Sequence, residues 1–307
     1  MPEINRRTFL ATGTLAIAGL AVGCKSKPSE DIPTDASIND IITVAAGRKD
    51  ARLQMIQAAE NIPVAQDARV PFALISADGQ TRYTGGRIRI WYSLNPDGDA
   101  EGPVDATYHG EGLGTKGVYT ARVNFASTGK WLLFALGTPG GASGELYGGA
   151  FYTVVDKVAG PAVGAKAISV PTPTPEDHRG VEPYCTSTPP CGMHRVSLDV
   201  ALGNGRPTVF NIGTPRFCTS QVCGPVVDVI ETASKDFGDR VNFVHAEVFA
   251  DDRDAVAKQI LAPAPKAWSL ESEPITYWIR PDGTIADRIV GPIDVAEVRE
   301  LTQKLAG

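Results

Sequence analysis

The chain has 307 residues, of which 43% are hydrophobic and 21% are charged, and its formal net charge is -6. This composition is ordinary for a soluble globular protein and excludes a fibrous or wholly disordered chain, and the length suffices for two domains that each bury a core. Basic residues form no run beyond the start of the chain, so the charge pattern gives no indication of a nucleic acid partner.

Residues 1–24 have the features of an export signal. Arg6 and Arg7 precede an apolar run over 10–22 that is too short to span a bilayer as a helix. The twin arginine resembles signals of the Tat pathway, and Ala-Val-Gly-Cys at 21–24 resembles a bacterial lipobox with alanine where leucine is usual. This resemblance implies that Cys24 is lipidated and anchors an exported protein to the outer face of the cell membrane. A plain cleaved signal and an uncleaved N-terminal anchor are the alternatives.

Residues 25–37 are polar and contain proline, which predicts a flexible tether. The apolar positions of 38–61 fit a short strand followed by a helix, without settling the assignment. Six segments with an alternating apolar pattern follow and are separated by turn signals; they are 70–75, 87–92, 104–109, 117–123, 130–135 and 150–155. This spacing predicts a β-sandwich domain over 38–158.

The segment 117–131 has the form G-x-Y-x-A-x-V-x-F-x-x-x-G-x-W. It resembles strands of the immunoglobulin-like sandwiches of bacterial exported proteins, which implies an immunoglobulin-like arrangement for the N-terminal domain. His109 is the only histidine on the predicted strands of this domain, and a surface position is predicted for it in preference to metal ligation.

A linker is predicted over 159–183. The segment is rich in alanine, glycine and proline and contains Pro-Thr-Pro-Thr-Pro at 171–175. Proline fixes φ and lacks an amide donor, which favours an extended polyproline spacer. The domain boundary is therefore placed here.

The last part of the chain, 184–307, alternates between strand and helix patterns. The predicted elements, in order, are a strand at 207–213, a helix with apolar positions from 222 to 233, a strand at 241–249, a helix at 251–261, strands at 275–279 and 284–290, and a helix at 295–305. The order β-α-β-α-β-β-α predicts an α/β domain.

This order, with a cysteine after the first strand and a proline opening the hairpin strand, resembles the thioredoxin fold. The resemblance implies that Pro274 is a cis-proline facing the active site. It also implies that Cys218 is the nucleophile at the start of the helix, where amide groups and the helix dipole stabilise a thiolate. Pro225 then falls near the helix-kinking proline of many thioredoxins. In an alternative register, Cys223-Gly-Pro matches the family's Cys-Gly-Pro and Cys223 is a lone thiol.

The predicted function is thiol-disulfide exchange through Cys218 and Cys223, with a protein disulfide or dithiol as substrate, an unidentified electron donor and no cofactor. Two features depart from thioredoxins: the spacing is Cys-x4-Cys, and Asn211 stands near the position of the family's buried acid. Because residues five apart in an ideal helix are too distant for a disulfide, we expect an irregular first turn, which Pro225 would permit.

Three other functions remain open at this point. One is a non-catalytic thioredoxin-like binding protein with structural disulfides. Another is a peroxidase, because Thr214 and Pro215 resemble the active-site threonine and proline of peroxiredoxins. The last is a copper carrier that resembles Sco-type chaperones, with Met193, His194 and His245 as candidate ligands beside the cysteine pair.

Without Cys24, four cysteines remain, and they allow three pairings. The short spacings favour Cys185 with Cys191 and Cys218 with Cys223. Because the first pair lies in a proline-rich loop in an exported protein, it is predicted to be a structural disulfide. A second redox pair that passes electrons to Cys218 is the alternative, and no metal site is predicted.

Overall fold

The computed structural model describes residues 36–47 and 52–307. The predicted signal, with Arg6, Arg7 and Cys24, and the predicted tether up to residue 35 lie outside these residues. Within the described part of the chain, no helix is both long and apolar enough to cross a membrane.

The N-terminal unit is one short helix followed by strands. Helix α1 spans Ile38–Ala46, and the strands are β1 Leu53–Gln57, β2 Asn61–Pro63, β3 Ala65–Ser76, β4 Arg82–Tyr83, β5 Gly86–Ser93, β6 Glu101–His109, β7 Val118–Phe125, β8 Gly129–Pro139 and β9 Leu146–Val155. All six strands predicted between 70 and 155 are present. Over 38–61, where the sequence did not settle the assignment, the helix comes first, because the Ser37 side chain accepts a bond from the Asp40 amide in a capping box that starts α1.

The described strands of this unit form a nine-stranded sheet in the order β1-β3-β7-β6-β5-β8-β9-β2, with β4 beside β3. Strand β6 pairs with β5 along its first part and with β7 along its last part. Inward side chains from both ends of the sheet, such as Phe72 on β3 and Leu133 on β8, share one buried cluster. Apart from α1, the unit is therefore built of strands, and the sheet folds over to enclose its core.

The C-terminal unit contains a four-stranded mixed sheet with helices on both faces. Its elements are α2 Leu198–Gly203, β10 Thr208–Ile212, α3 Cys223–Ser234, β11 Asn242–Ala246, α4 Asp254–Lys258, α5 Pro263–Ala267, β12 Ile275–Ile279, β13 Ile285–Val290 and α6 Val295–Ala306. The order is β11-β10-β12-β13, with β10 parallel to β11 and antiparallel to β12. This is the strand arrangement of a thioredoxin-like fold.

Every residue of β10 and of β12 is buried, which is typical of strands covered on both faces. One face packs on α3 and α6, and the other packs on α2 and on the segment around α5. The buried central strands thus fix the position of the loops at their ends, and the cysteines lie in these loops.

The predicted linker packs on the C-terminal unit. The amides of Gly164 and Ala167 donate to the carbonyls of Ile285 and Gly283, beside β13. Thr172 is fully buried against the start of α2. The segment 159–183, predicted as a linker with an extended polyproline spacer, is therefore held against the C-terminal unit by these hydrogen bonds.

The two units meet at the start of α6. The Arg69 guanidinium of β3 donates to both carboxylate oxygens of Glu297, at 2.9 and 2.8 Å. His109 Nδ1 lies 3.3 Å from Glu297 and 3.6 Å from Asp294. His109 is thus a partly buried residue of this interface, which corrects its prediction as a surface histidine.

Candidate functional site

Cys218 and Cys223 lie in and after the loop that leaves β10. The structure joins them in a disulfide with a Cα separation of 6.0 Å, within the usual range for such bonds. The chain turns between them, because the Gln221 amide donates to the Cys218 carbonyl and Gln221 has a φ of 57°. The expected irregular geometry is found, but it lies before the helix and not in its first turn.

Helix α3 begins at Cys223, five residues later than the thioredoxin resemblance implies for Cys218. The positive end of the helix dipole therefore acts on Cys223 and not on Cys218, which corrects the predicted register. The physical reason is the left-handed turn at Gln221, which ends the loop and delays the helix. Cys218 is 8% exposed and Cys223 is 0% exposed, so Cys218 is the sulfur nearer to solvent.

Pro274 opens β12 on the neighbouring side of the site, and the Glu273–Pro274 peptide bond is cis. Gly213 separates this proline from the disulfide: a methyl group added at Gly213 would lie 3.5 Å from Cβ of Pro274 and 3.6 Å from Cβ of Cys223. The backbone at the end of β10 thus packs between Pro274 and the buried cysteine.

Glu273 is a site residue that the sequence analysis missed. Its Oε2 lies 3.5 Å from Cys223 Sγ and accepts a hydrogen bond of 3.0 Å from the Thr214 amide. Burial, together with the smaller effect of the charge of Glu247, raises the pKa of Glu273 to about 7 against the lowering effect of the Thr214 bond. Its position directly before the predicted cis-proline was the only sequence signal that could have identified it.

Asn211 has structural contacts. The Asn211 side chain is fully buried and donates to the Ile275 carbonyl and to Thr276 Oγ1. It therefore braces β10 against β12, and no acid stands at this position. Arg216, which follows the predicted peroxidase Thr-Pro pair, lies 3.5 Å from the carboxylate of Asp252.

Cys185 and Cys191 are not joined. Both are buried free thiols whose Sγ atoms lie 3.8 Å apart, which corrects their prediction as a structural disulfide. Two histidines face them: His245 Nδ1 lies 3.4 Å from Cys191 Sγ, and His194 Nε2 lies 3.2 Å from His245 Nδ1. We refer to these four residues, Cys185, Cys191, His194 and His245, as the Cys2His2 cluster.

The positions of the two histidines support one part of the copper-carrier hypothesis and contradict another. His194 and His245 are adjacent, as that reading requires, but they face Cys185 and Cys191 and not the Cys218–Cys223 disulfide. Met193 is buried, and its carbonyl accepts from the His245 amide. The sequence prediction of no metal site did not foresee this cluster, because His245 lies inside a strand more than 50 positions from the cysteine loop.

The cluster and the disulfide adjoin one another. His245 Nε2 donates to the Gly213 carbonyl at 3.0 Å, and Gly213 is the residue that contacts Cys223 and Pro274. The loop that carries Cys185 is held in the same region, because the Thr186 hydroxyl accepts from the Arg216 amide at 3.2 Å. One layer of backbone therefore separates the four-residue cluster from the Cys218–Cys223 disulfide.

No family model matches the chain, and no curated protein matches it. Among solved structures, a thiol:disulfide interchange protein of the thioredoxin family from Chlorobium tepidum is 17% identical, covers 46% of this chain and all 100% of its own, and has a TM-score of 0.30. A thiol:disulfide interchange protein from Bacteroides sp. is 12% identical, with 48% and 91% coverage and a TM-score of 0.33. StoA from Bacillus subtilis is 16% identical, with 46% and 99% coverage and a TM-score of 0.31. The thioredoxin-like fold rests on the strand order described above, and these likenesses carry no conclusion about activity.

Proposed function

We propose that the chain catalyses thiol-disulfide exchange through Cys218 and Cys223. The observation that carries this proposal is a disulfide with one sulfur at the start of α3 and a carboxyl group 3.5 Å from that sulfur. A structural bridge needs neither feature, whereas exchange is faster when the leaving thiolate is stabilised.

Because Cys218 is more exposed than Cys223, Cys218 is the cysteine that a substrate attacks. A substrate thiolate attacks Sγ of Cys218, the bond between Cys218 and Cys223 breaks, and Cys223 leaves with the electron pair as a thiolate. The amide groups at the start of α3 stabilise this thiolate, and the protonated carboxyl of Glu273 supplies its proton. A second substrate thiolate then attacks the substrate sulfur of the mixed disulfide and releases Cys218. The substrate becomes a disulfide, and the protein becomes a dithiol.

The reverse sequence reduces a substrate disulfide. Cys218 attacks one substrate sulfur, and Cys223 then attacks Cys218 Sγ while Glu273 accepts the Cys223 proton. The protein dithiol that this consumes must be regenerated by an electron donor, so a dithiol or disulfide protein substrate and a separate redox partner belong to the proposal.

Exchange by the full chain is tested with Cys218→Ala and Cys223→Ala in a disulfide reduction assay on insulin, with dithiothreitol as donor. We expect both variants to lose the acceleration given by the wild type. Thr219→Ala, inside the same loop, serves as the matched control and should retain it. Equal turnover by wild type and Cys218→Ala would contradict the proposal.

A disulfide-stapled binding protein is the second candidate, and a specific observation favours it: both sulfurs are buried, at 8% and 0% exposure. Under this function the bond would resist reduction, and substitution of either cysteine would lower stability without changing any exchange rate.

We also propose that the protein is exported and is anchored through a lipid on Cys24, as the signal at 1–24 indicates. The N-terminal β unit, whose likeness to immunoglobulin-like sandwiches stays a proposal, then serves as spacer or docking module between membrane and active site. Recovery of the Cys24→Ala variant in the membrane fraction at the wild-type level would contradict the anchor.

A further inference from the structure

The Cys2His2 cluster has the composition and the burial of a closed metal site. Its members are 4%, 6%, 2% and 0% exposed, in chain order, and one ligand atom from each lies within 4.8 Å of all the others. Two sulfur and two imidazole ligands are the donor set of tetrahedral structural zinc sites.

The separations between the ligand atoms agree with a tetrahedron around zinc. Bond lengths of about 2.3 Å to sulfur and about 2.0–2.1 Å to nitrogen require about 3.8 Å between the sulfurs, about 3.6 Å from sulfur to nitrogen and about 3.4 Å between the nitrogens. The sulfurs are 3.8 Å apart, the two nitrogens are 3.2 Å apart, and His245 Nδ1 is 3.4 and 3.9 Å from the two sulfurs. Four of the six separations are thus close to those of a tetrahedral zinc ion, and His194 Nε2 lies within 4.8 Å of both sulfurs.

The outer hydrogen bonds fix both imidazoles for ligation. A carbonyl can only accept, so His245 Nε2 carries the proton that it donates to Gly213, and His194 Nδ1 carries the proton that it donates to Pro173. In the neutral imidazoles, the nitrogens that face each other across the cluster are therefore both unprotonated. Backbone carbonyls that orient a ligand histidine in this way are the usual second layer of metal sites.

A hydrogen bond also prepares one of the sulfurs for ligation. The Cys191 amide donates to Cys185 Sγ at 3.4 Å, and such a bond stabilises a thiolate. Two thiolates and one divalent ion sum to zero charge, whereas a monovalent ion would leave a net negative charge in a buried site, where unbalanced charge is costly. The charge balance thus favours Zn²⁺ over Cu⁺.

We propose that Cys185, Cys191, His194 and His245 bind one Zn²⁺ ion in a closed structural site that fixes the loop 185–194 to β11. Binding breaks the two S–H bonds, forms two Zn–S and two Zn–N bonds, and releases two protons per ion. No electrons are transferred, and the Cys218–Cys223 disulfide takes no part in the site.

The test uses the full chain, freed of metal with a chelator under conditions that leave thiols reduced, and titrated with Zn²⁺ or with Co²⁺ as a spectroscopic probe. We expect one ion per chain, two protons released per Zn²⁺, and the thiolate-to-cobalt absorption of a tetrahedral site. Cys191→Ser and His194→Phe should weaken Zn²⁺ binding at least 100-fold. His194→Cys keeps a ligand at the position and should retain tetrahedral binding.

Two controls separate loss of ligands from loss of fold and from other thiols. The Cys218→Ser/Cys223→Ser double variant and Cys24→Ser should bind Zn²⁺ as the wild type does, and the circular dichroism of each ligand variant is compared with that of the wild type. A Cys185–Cys191 disulfide in the purified protein that excludes Zn²⁺ would overturn the proposal. Stoichiometric Cu⁺ binding without Zn²⁺ binding would also overturn it, and so would unchanged Zn²⁺ affinity in Cys191→Ser.

Discussion

At the scale of single residues, the carboxyl group of Glu273 sets the chemistry available to the buried cysteine. Cys223 has no solvent contact, so water cannot give or take its proton, and the oxygen 3.5 Å away is the nearby group that can. With a pKa raised to about 7 by burial, Glu273 changes its protonation state near neutral pH. A group poised in this way suits exchange in either direction.

Glu273→Gln removes the proton source while keeping size and polarity. For reduction of the protein disulfide by dithiothreitol, we expect the wild type to react about tenfold faster than the variant below pH 7, with the ratio falling toward one above it. The ratio cancels the pH dependence of the attacking thiol. Glu271→Gln, an exposed neighbour, is the matched control, and a ratio independent of pH would count against the role of Glu273.

We expect the same substitution to change the pH dependence of the free energy of unfolding. Burial raises the folded-state pKa of Glu273 from the ordinary 4.5 to about 7, so the folded chain holds a proton that the unfolded chain loses, and its stability falls as pH rises between these values. We expect Glu273→Gln to increase the free energy of unfolding at pH 8 by about 1–3 kcal/mol, with little gain at pH 4. Urea unfolding at both pH values measures the difference.

At the scale of elements, the regular strands and long helices could be predicted from the sequence, and the short or irregular pieces could not. Alternation identifies strands such as β7, in which buried Val123 and Phe125 follow exposed Arg122 and Asn124 in turn. Helices α2 and α5 have only six and five residues, too few to show a helical period. The apolar positions from 222 to 233 agree with α3, whereas the thioredoxin resemblance placed the helix start too early, at Cys218, because it does not reveal the turn at Gln221.

Only the parts of the candidate site that lie close together in the sequence could be predicted. The Cys218–Cys223 pair and Pro274 follow from chain order, whereas Glu273 depends on the depth to which β12 is buried. The Cys2His2 cluster joins a loop to a strand more than 50 residues away, and only the parallel pairing of β10 with β11 brings His245 under that loop. No local pattern records such a contact.

The segment 159–183 gives a prediction at this scale. The Thr172 hydroxyl accepts from the Leu198 amide at 2.9 Å, at the first residue of α2, and the Thr172 side chain has no exposed surface. Thr172→Val keeps the shape but leaves that amide without an acceptor, so we expect a loss of about 1–3 kcal/mol in the free energy of unfolding.

Exposed Ser169→Ala in the same segment is the control and should stay within about 0.5 kcal/mol of the wild type. Equal stability of the two variants would mean that the segment is a free spacer after all. Denaturant unfolding followed by tryptophan fluorescence is suitable, because Trp268 donates to the Ile168 carbonyl in this region.

At the scale of the whole molecule, the β unit and the thioredoxin-like unit are joined by a largely buried ion pair. The Arg69 and Glu297 side chains are 9% and 10% exposed. The β unit also reaches the loop between Cys218 and Cys223, because Lys116 Nζ lies 3.2 Å from Gln221 Oε1. The placement of the β unit is therefore fixed relative to the cysteines, as a docking role would require.

Arg69→Ala removes both guanidinium hydrogen bonds to the Glu297 carboxylate and leaves only His109 beside it. We expect a cost of about 3–5 kcal/mol, because a largely buried charge loses its cationic partner. Arg122 lies opposite Arg69 on β7 and pairs with Asp67 at 53% and 74% exposure. Arg122→Ala should therefore cost about 1 kcal/mol or less. Thermal unfolding of both variants measures the contrast, and equal costs would contradict the importance of this interface.

The most direct test of the account is the reduction potential of the Cys218–Cys223 disulfide in the full chain. The protein is equilibrated with glutathione or dithiothreitol buffers, and each cysteine is followed by alkylation and mass spectrometry, which separates this pair from Cys185 and Cys191. The account predicts a potential between about −120 and about −270 mV, where exchange catalysts fall. A potential below about −300 mV, typical of structural bridges, would contradict exchange and leave a stapled binding protein.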